Sequence, residues 1–182
     1  ELDKSIPSYL ASVDVGPYTQ VNEVYDGIHD TIPIVLAALP ADTVNLKNSF
    51  VHLKNALAGF ENRYGYYRWN KVGYSLVPFT SGAMEHATNI AFPELAANGT
   101  TTYEADIMAH ELSHHWFGDL VTCQTAGDMW LNEGMAVYSQ SIFTEWVYGT
   151  NAYKASIRAN HENVLHYAHI IDHGYRALYN MP

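Results

Sequence analysis

His110 and His114 stand four residues apart with Glu111 beside the first, in His110-Glu111-Leu112-Ser113-His114. After eighteen intervening residues comes Glu133, in Trp130-Leu131-Asn132-Glu133-Gly134. On an α-helix, residues four apart lie about 40° apart around the axis and about 6 Å along it, so the two imidazoles share a face and can share one ion. Zinc in a hydrolase takes three protein ligands and leaves a fourth position for water. Glu133 is the best candidate for the third ligand. Glu111 is placed to take a proton from that water rather than to bind the metal. The HExxH pattern alone is loose and recurs in unrelated helices. The later glutamate, on a second helix and in its own tryptophan-glycine context, gives it specificity.

These residues require two helices. Thr101 and Glu104 have capping-box spacing, and Ile107, Met108, Leu112 and Trp116 repeat with helical period, which predicts a helix over Tyr103 to Phe117 stopped at Gly118-Asp119. Asp128 is an N-cap residue type, so a second helix is expected to start there, with Glu133 in its second turn. Upstream, Ser8 to Val15, Thr19 to Tyr25 and Thr31 to Ala37 read as strands separated by Gly16-Pro17 and Asp26-Gly27. A helix is expected over Asp42 to Arg63, with Val44, Phe50, Val51, Leu53, Leu57 and Phe60 as its apolar stripe. Lys71 to Val77 and Ala87 to Phe92 read as further strands, and a last helix as running from Asn151 to Ile170.

Taken together, HELSH, His115 to Thr122 (HWFGDLVT), Trp130 to Tyr138 (WLNEGMAVY) and Gly82 to His86 (GAMEH) resemble the aminopeptidase N family of gluzincin zinc metallopeptidases. The resemblance runs from about Pro7 to Tyr138. It implies one zinc ion held by His110, His114 and Glu133, with Glu111 as general base. It implies that Glu85 binds the free α-amino group of a peptide substrate through a charge-assisted hydrogen bond. Gly82, Ala83 and Met84 are expected to form the adjoining extended segment, which pairs with the substrate backbone. The implied fold is α+β and thermolysin-like. Residues 1–182 are expected to form one partial catalytic domain, β-rich over 1–40 and carrying the zinc helices within 41–182. The partners implied are peptides with a free N-terminus and the remaining domains of a longer enzyme.

Several positions depart from the family pattern. His86 stands where the family has asparagine, so its hydrogen bond would carry a charge that varies near neutral pH. Thr125 and Ala126 replace tryptophans. Asp128 is expected to cap the second helix or, less simply, to orient a zinc-bound histidine. In the family, a tyrosine in a Tyr-x-Lys-Gly context well past the third ligand donates to the oxyanion. Tyr175 and Tyr179 follow Glu133 by 42 and 46 residues without a Lys-Gly pair, and are expected to be packing or surface residues. The chain starts at Glu1 without a leader-like run, which reads as an excised piece. On this reading the isolated chain binds zinc but has little or no activity. The alternatives are a thermolysin-like endopeptidase, disfavoured by GAMEH, and an inactive zinc-binding scaffold.

Composition limits the partners. Nineteen acidic residues against nine Lys and Arg give a formal charge of −10, which disfavours nucleic acid and anionic membranes and suits a cationic peptide terminus. A single Cys123 allows no internal disulfide and leaves the compartment open. His166, His169 and His173 recur along the last helix near His161 and Asp172, but no paired motif supports coordination, and they read as surface residues. His115 points away from the His110/His114 face, and His29 and His52 lack a supporting context.

Overall fold

A computed structural model describes residues 4–174 and Ala177. The architecture is α+β, a four-stranded sheet with helices packed against it. Strands β1 (Thr19–Asp26) and β2 (Thr31–Ala38) form an antiparallel hairpin across the expected Asp26-Gly27 turn, with Thr19 opposite Ala38 and Asp26 opposite Thr31. β1 lies at the edge and is largely exposed, whereas β2 turns Ile32, Ile34 and Leu36 into the core. Helices α1 (Thr43–Ser49) and α2 (Leu53–Tyr64) then carry the chain back to β3 (Val72–Val77), which pairs parallel to β2. β3 is buried along its whole length, as a central parallel strand requires. β4 (Ile90–Pro93) pairs parallel to β3.

Four expectations are corrected here. Ser8 to Val15 is not a strand: Ser8–Leu10 is a short 3-10 turn, and fully buried Leu10 offers its carbonyl to the Ala87 N–H at 3.0 Å. The helix expected over Asp42 to Arg63 is broken at Phe50–His52. The break turns the Phe50 ring edge-on against Tyr74 and Phe92 at 4.8 and 5.0 Å, and leaves Val44 and Val51, assigned to the apolar stripe, exposed. The Thr101/Glu104 capping box does not form. Glu104 is buried instead, where it accepts from His52 Nδ1 at 2.7 Å and from the Tyr148 hydroxyl. Asp128 makes no capping bond; its side chain meets only Thr125 Oγ1, at 3.4 Å.

The helix that carries His110 and His114 begins as a wide π turn, Glu104–Ala109, and continues as α3 (His110–His114). π turns recur at functional sites. After the loop comes α4 (Trp130–Tyr148), then α5 (Thr150–Leu165), ending in a second π turn, His166–Ile171. Glu133 therefore lies in the first turn of α4 rather than its second. Tyr175 and Tyr179 lie outside the described residues. Among the described residues, no helix is long and apolar enough to cross a membrane.

Candidate metal centre

The backbone around α3 is held by long-range donors. Tyr74 on β3 donates to the Met108 carbonyl at 2.8 Å, Trp69 Nε1 to the His115 carbonyl at 2.7 Å, and Trp116 Nε1 to the Gly65 carbonyl at 3.0 Å. Asn132 on α4, fully buried, accepts from the Cys123 N–H at 3.0 Å and donates to Thr122 Oγ1 at 3.2 Å. The loop between the two metal-site helices is thereby tied to the residue beside Glu133.

With these elements fixed, His110, His114 and Glu133 converge. His110 Nε2 lies 3.2 Å from His114 Nε2 and 3.3 Å from Glu133 Oε2, and His114 Nε2 lies 3.7 Å from the same oxygen. A tetrahedral zinc ion with bonds of about 2.05 Å separates its ligand atoms by about 3.3 Å, so this donor triangle has the size and chemistry that zinc needs. His114 is already in the right tautomer. Its Nδ1 faces the Phe117 carbonyl at 3.0 Å, and only a protonated Nδ1 can make that bond, which leaves the Nε2 lone pair toward the triangle. Gly118 makes room for this bond: at φ +141, it would place an added Cβ 2.7 Å from His114 Nδ1.

A second set, Glu85, Glu111 and His114, also brings its ligand atoms within 4.8 Å of one another, and all three residues are buried. Burial, reinforced by the charges of Glu85 and Glu133, pushes the Glu111 carboxyl up to about 8. Burial also lowers the pKa of His114. Glu133 is held below the usual carboxylate range, mainly by its hydrogen bond with His110. Three carboxyl groups stand against two imidazoles, with no basic side chain hydrogen-bonded among them in the described residues, and a cation would relieve their crowding.

Met84 pairs with Ala91 of β4 in a narrow antiparallel bridge, with N–H to O distances of 3.0 and 2.9 Å. By the alternation of an extended segment, the neighbouring main-chain groups of Ala83 and Glu85 point away from β4. Gly82 does not continue this extended run as expected: at φ +68 it turns the chain. His86 Nδ1 is buried without a hydrogen-bond partner among the described residues.

His115 does turn away from the metal face. Its Nδ1 lies 2.7 Å from the Tyr67 hydroxyl, and Thr88 N–H donates to its Nε2 at 3.3 Å. Burial pushes its pKa down to about 3. The Asp119 carboxyl, 3.6 Å from His115 Nε2, is pushed up to about 9 by burial and by Glu85 and Glu111. Burial thus favours the uncharged form of each group over an ion pair. Sequence reasoning missed Asp119, and it missed Gln140, whose side-chain nitrogen lies 3.0 Å from His110 Nδ1. The available signal for Gln140 was its place two turns after Glu133 on one helix face. Asp119, within an otherwise apolar FGDLV run, carried no comparable signal.

The description "Peptidase family M1 domain" matches residues 49–174, and the chain belongs to that family. It is 32% identical over 146 residues to an aminopeptidase N of Streptomyces lividans, covering 75% of this chain and 17% of that protein. It is 31% identical over 160 residues to an aminopeptidase B of Rattus norvegicus, covering 82% and 22%. The chain thus spans between 17% and 22% of these relatives. An M1 zinc metallopeptidase from Deinococcus radiodurans superposes with a TM-score of 0.66 at 25% identity, covering 82% of this chain and 33% of that one. The Legionella pneumophila aminopeptidase A, at 22% identity and a TM-score of 0.64 over 74% of this chain and 17% of that one, shares the fold. The family likeness read from the motif blocks and the α+β fold it implied are both met.

Proposed function

We propose that this chain carries the metal site and substrate-amine site of a zinc-dependent aminopeptidase, which removes the N-terminal residue of peptides. The observation that carries the reading is the convergence of His110, His114 and Glu133 into a zinc-sized triangle, with buried Glu111 and Glu85 against it. The M1 family match supports it. On this reading the three converging residues hold one zinc ion. The bound ion supplies Lewis acidity, polarising the scissile carbonyl and making water acidic enough to attack at neutral pH.

Glu111 takes the proton from the attacking water and returns it to the leaving amine. Its carboxyl is buried, and its pKa of about 8 in the metal-free site would fall beside a cation, leaving the carboxylate able to accept. Glu85 holds the substrate's α-ammonium by a charge-assisted hydrogen bond, and its burial makes an unpaired charge there costly, which selects for a cationic terminus. Ala83 and Glu85 offer main-chain groups to the substrate strand. Gly82 and Met84 set that edge, one by turning the chain and the other by anchoring it to β4.

Metal analysis and peptide binding test this directly. One zinc per chain is expected, lost in Glu133→Ala; unchanged zinc content in that variant would refute the ligand set. The zinc-loaded protein should bind an unblocked tripeptide more tightly than its N-acetylated form, with the preference lost in Glu85→Gln. Equal binding of both peptides by the unsubstituted protein would overturn the aminopeptidase assignment and favour an endopeptidase.

A further inference from the structure

His110 and His114 differ in what stands behind them. A carbonyl oxygen, that of Phe117, fixes the Nδ1–H tautomer of His114. Behind His110 stands the side-chain amide of Gln140, with its nitrogen 3.0 Å from His110 Nδ1 and 3.4 Å from the Asp106 carbonyl oxygen. An amide nitrogen only donates, so in this arrangement His110 Nδ1 accepts and the ring proton sits on Nε2. That proton points into the triangle, toward Glu133 Oε2 at 3.3 Å and His114 Nε2 at 3.2 Å. It satisfies two acceptors that would otherwise face a third lone pair. It also blocks the metal, because an imidazole coordinates through an unprotonated nitrogen.

We propose that Gln140 is a two-way positioning residue for the metal site, donating to His110 Nδ1 in the metal-free protein and accepting from it once zinc is bound. The change needs a half-turn of the amide about its last side-chain bond, which brings the oxygen onto Nδ1–H and gives up the long contact to Asp106. The proton that leaves Nε2 is replaced by one on Nδ1, so the change is a tautomer shift with no net gain or loss of protons. Only an amide serves both states. A carboxylate would only accept, holding His110 permanently in the metal-binding tautomer, and an apolar side chain would do neither. A neutral amide thus makes zinc easier to lose here than a carboxylate would, and gives the empty site a satisfied resting state. Partners of this kind change metal affinity by about 10- to 100-fold.

This inference rests on the metal-site reading above, and the test separates the two. Zinc affinity is measured by chelator competition in the unsubstituted protein, Gln140→Glu and Gln140→Met, with circular dichroism and thermal melting to show that each is folded. The tautomer of His110 in the metal-free forms is read from imidazole nitrogen-15 shifts. Expected is an affinity about 10-fold higher in Gln140→Glu and about 10-fold lower in Gln140→Met. The His110 proton should lie on Nε2 in the unsubstituted protein and on Nδ1 in Gln140→Glu. If the unsubstituted protein binds no zinc, the metal-site reading fails and this inference with it. If it binds zinc while both variants match it within twofold, or if the tautomer is the same in all three, the metal site stands and the role of Gln140 is overturned.

Discussion

Asp119→Asn should stabilise the metal-free protein, and by more as pH rises. Asp119 is 3% exposed, neither of its carboxylate oxygens has a hydrogen-bond partner among the described residues, and burial pushes the pKa of its neighbour His115 down to about 3. Burial pushes its carboxyl up to about 9 in the fold, well above the ordinary range of an aspartate. The native state therefore keeps a proton that the unfolded chain releases. The stability carried by that proton is complete below about pH 4 and is lost progressively as pH rises toward 9, at up to about 1.4 kcal/mol per pH unit. Between pH 5 and pH 8 that amounts to about 2–4 kcal/mol, the lower figure applying where local relaxation admits water to the carboxyl. Asparagine keeps the shape and has no proton to lose.

The assay is urea unfolding of both proteins at pH 5, 6, 7 and 8 in the presence of a chelator, so that no metal neutralises Glu85 or Glu111. Groups away from the site cancel in the difference between the two proteins. The unsubstituted protein should lose ground to Asp119→Asn steadily across the series. A difference that stays flat with pH would mean that Asp119 is already ionised in the fold. The His115 contact would then be a true ion pair, and the neutral reading of both residues would be wrong.

Other perturbations follow from single contacts. Glu61 is buried and accepts from Tyr25 Oη at 2.9 Å, Ile28 N–H at 3.0 Å and Tyr67 N–H at 2.7 Å, so Glu61→Gln sets an amide nitrogen against a donor and should cost about 1–3 kcal/mol in urea unfolding. An unchanged midpoint would show that these bonds are replaceable by water. Gly118→Ala forces a methyl against His114 Nδ1 in a backbone region closed to alanine; it should destabilise by about 1–3 kcal/mol and weaken zinc binding in the same protein. Full zinc affinity in that variant would detach the Phe117 bond from metal binding. Tyr148→Phe removes one of the two donors to buried Glu104 and should cost about 1–2 kcal/mol, measured by thermal melting.

The parts legible from sequence are those that local spacing determines. The hairpin β1–β2 was readable from an Asp-Gly turn between two short apolar stretches, and the converging histidines from the pitch of a helix. What stayed hidden was set by residues distant in the chain. Where the long helix breaks, Phe50 packs T-shaped with the Tyr74 and Phe92 rings, and neither contact is encoded near residue 50. Glu104 looked like a cap from its spacing to Thr101, but His52 and Tyr148, 52 and 44 residues away, offered it buried partners instead. The same division runs through the metal centre. The types and order of the converging candidate ligands follow from the motif, whereas ring tautomers depend on what stands behind each ring. For His114 that partner is three residues on, within reach of local reasoning; for His110 it is Gln140, 30 residues away on another helix. A motif can therefore name the atoms that face a metal without naming the groups that decide how readily they bind it, because those groups are recruited by packing between helices rather than by spacing within one.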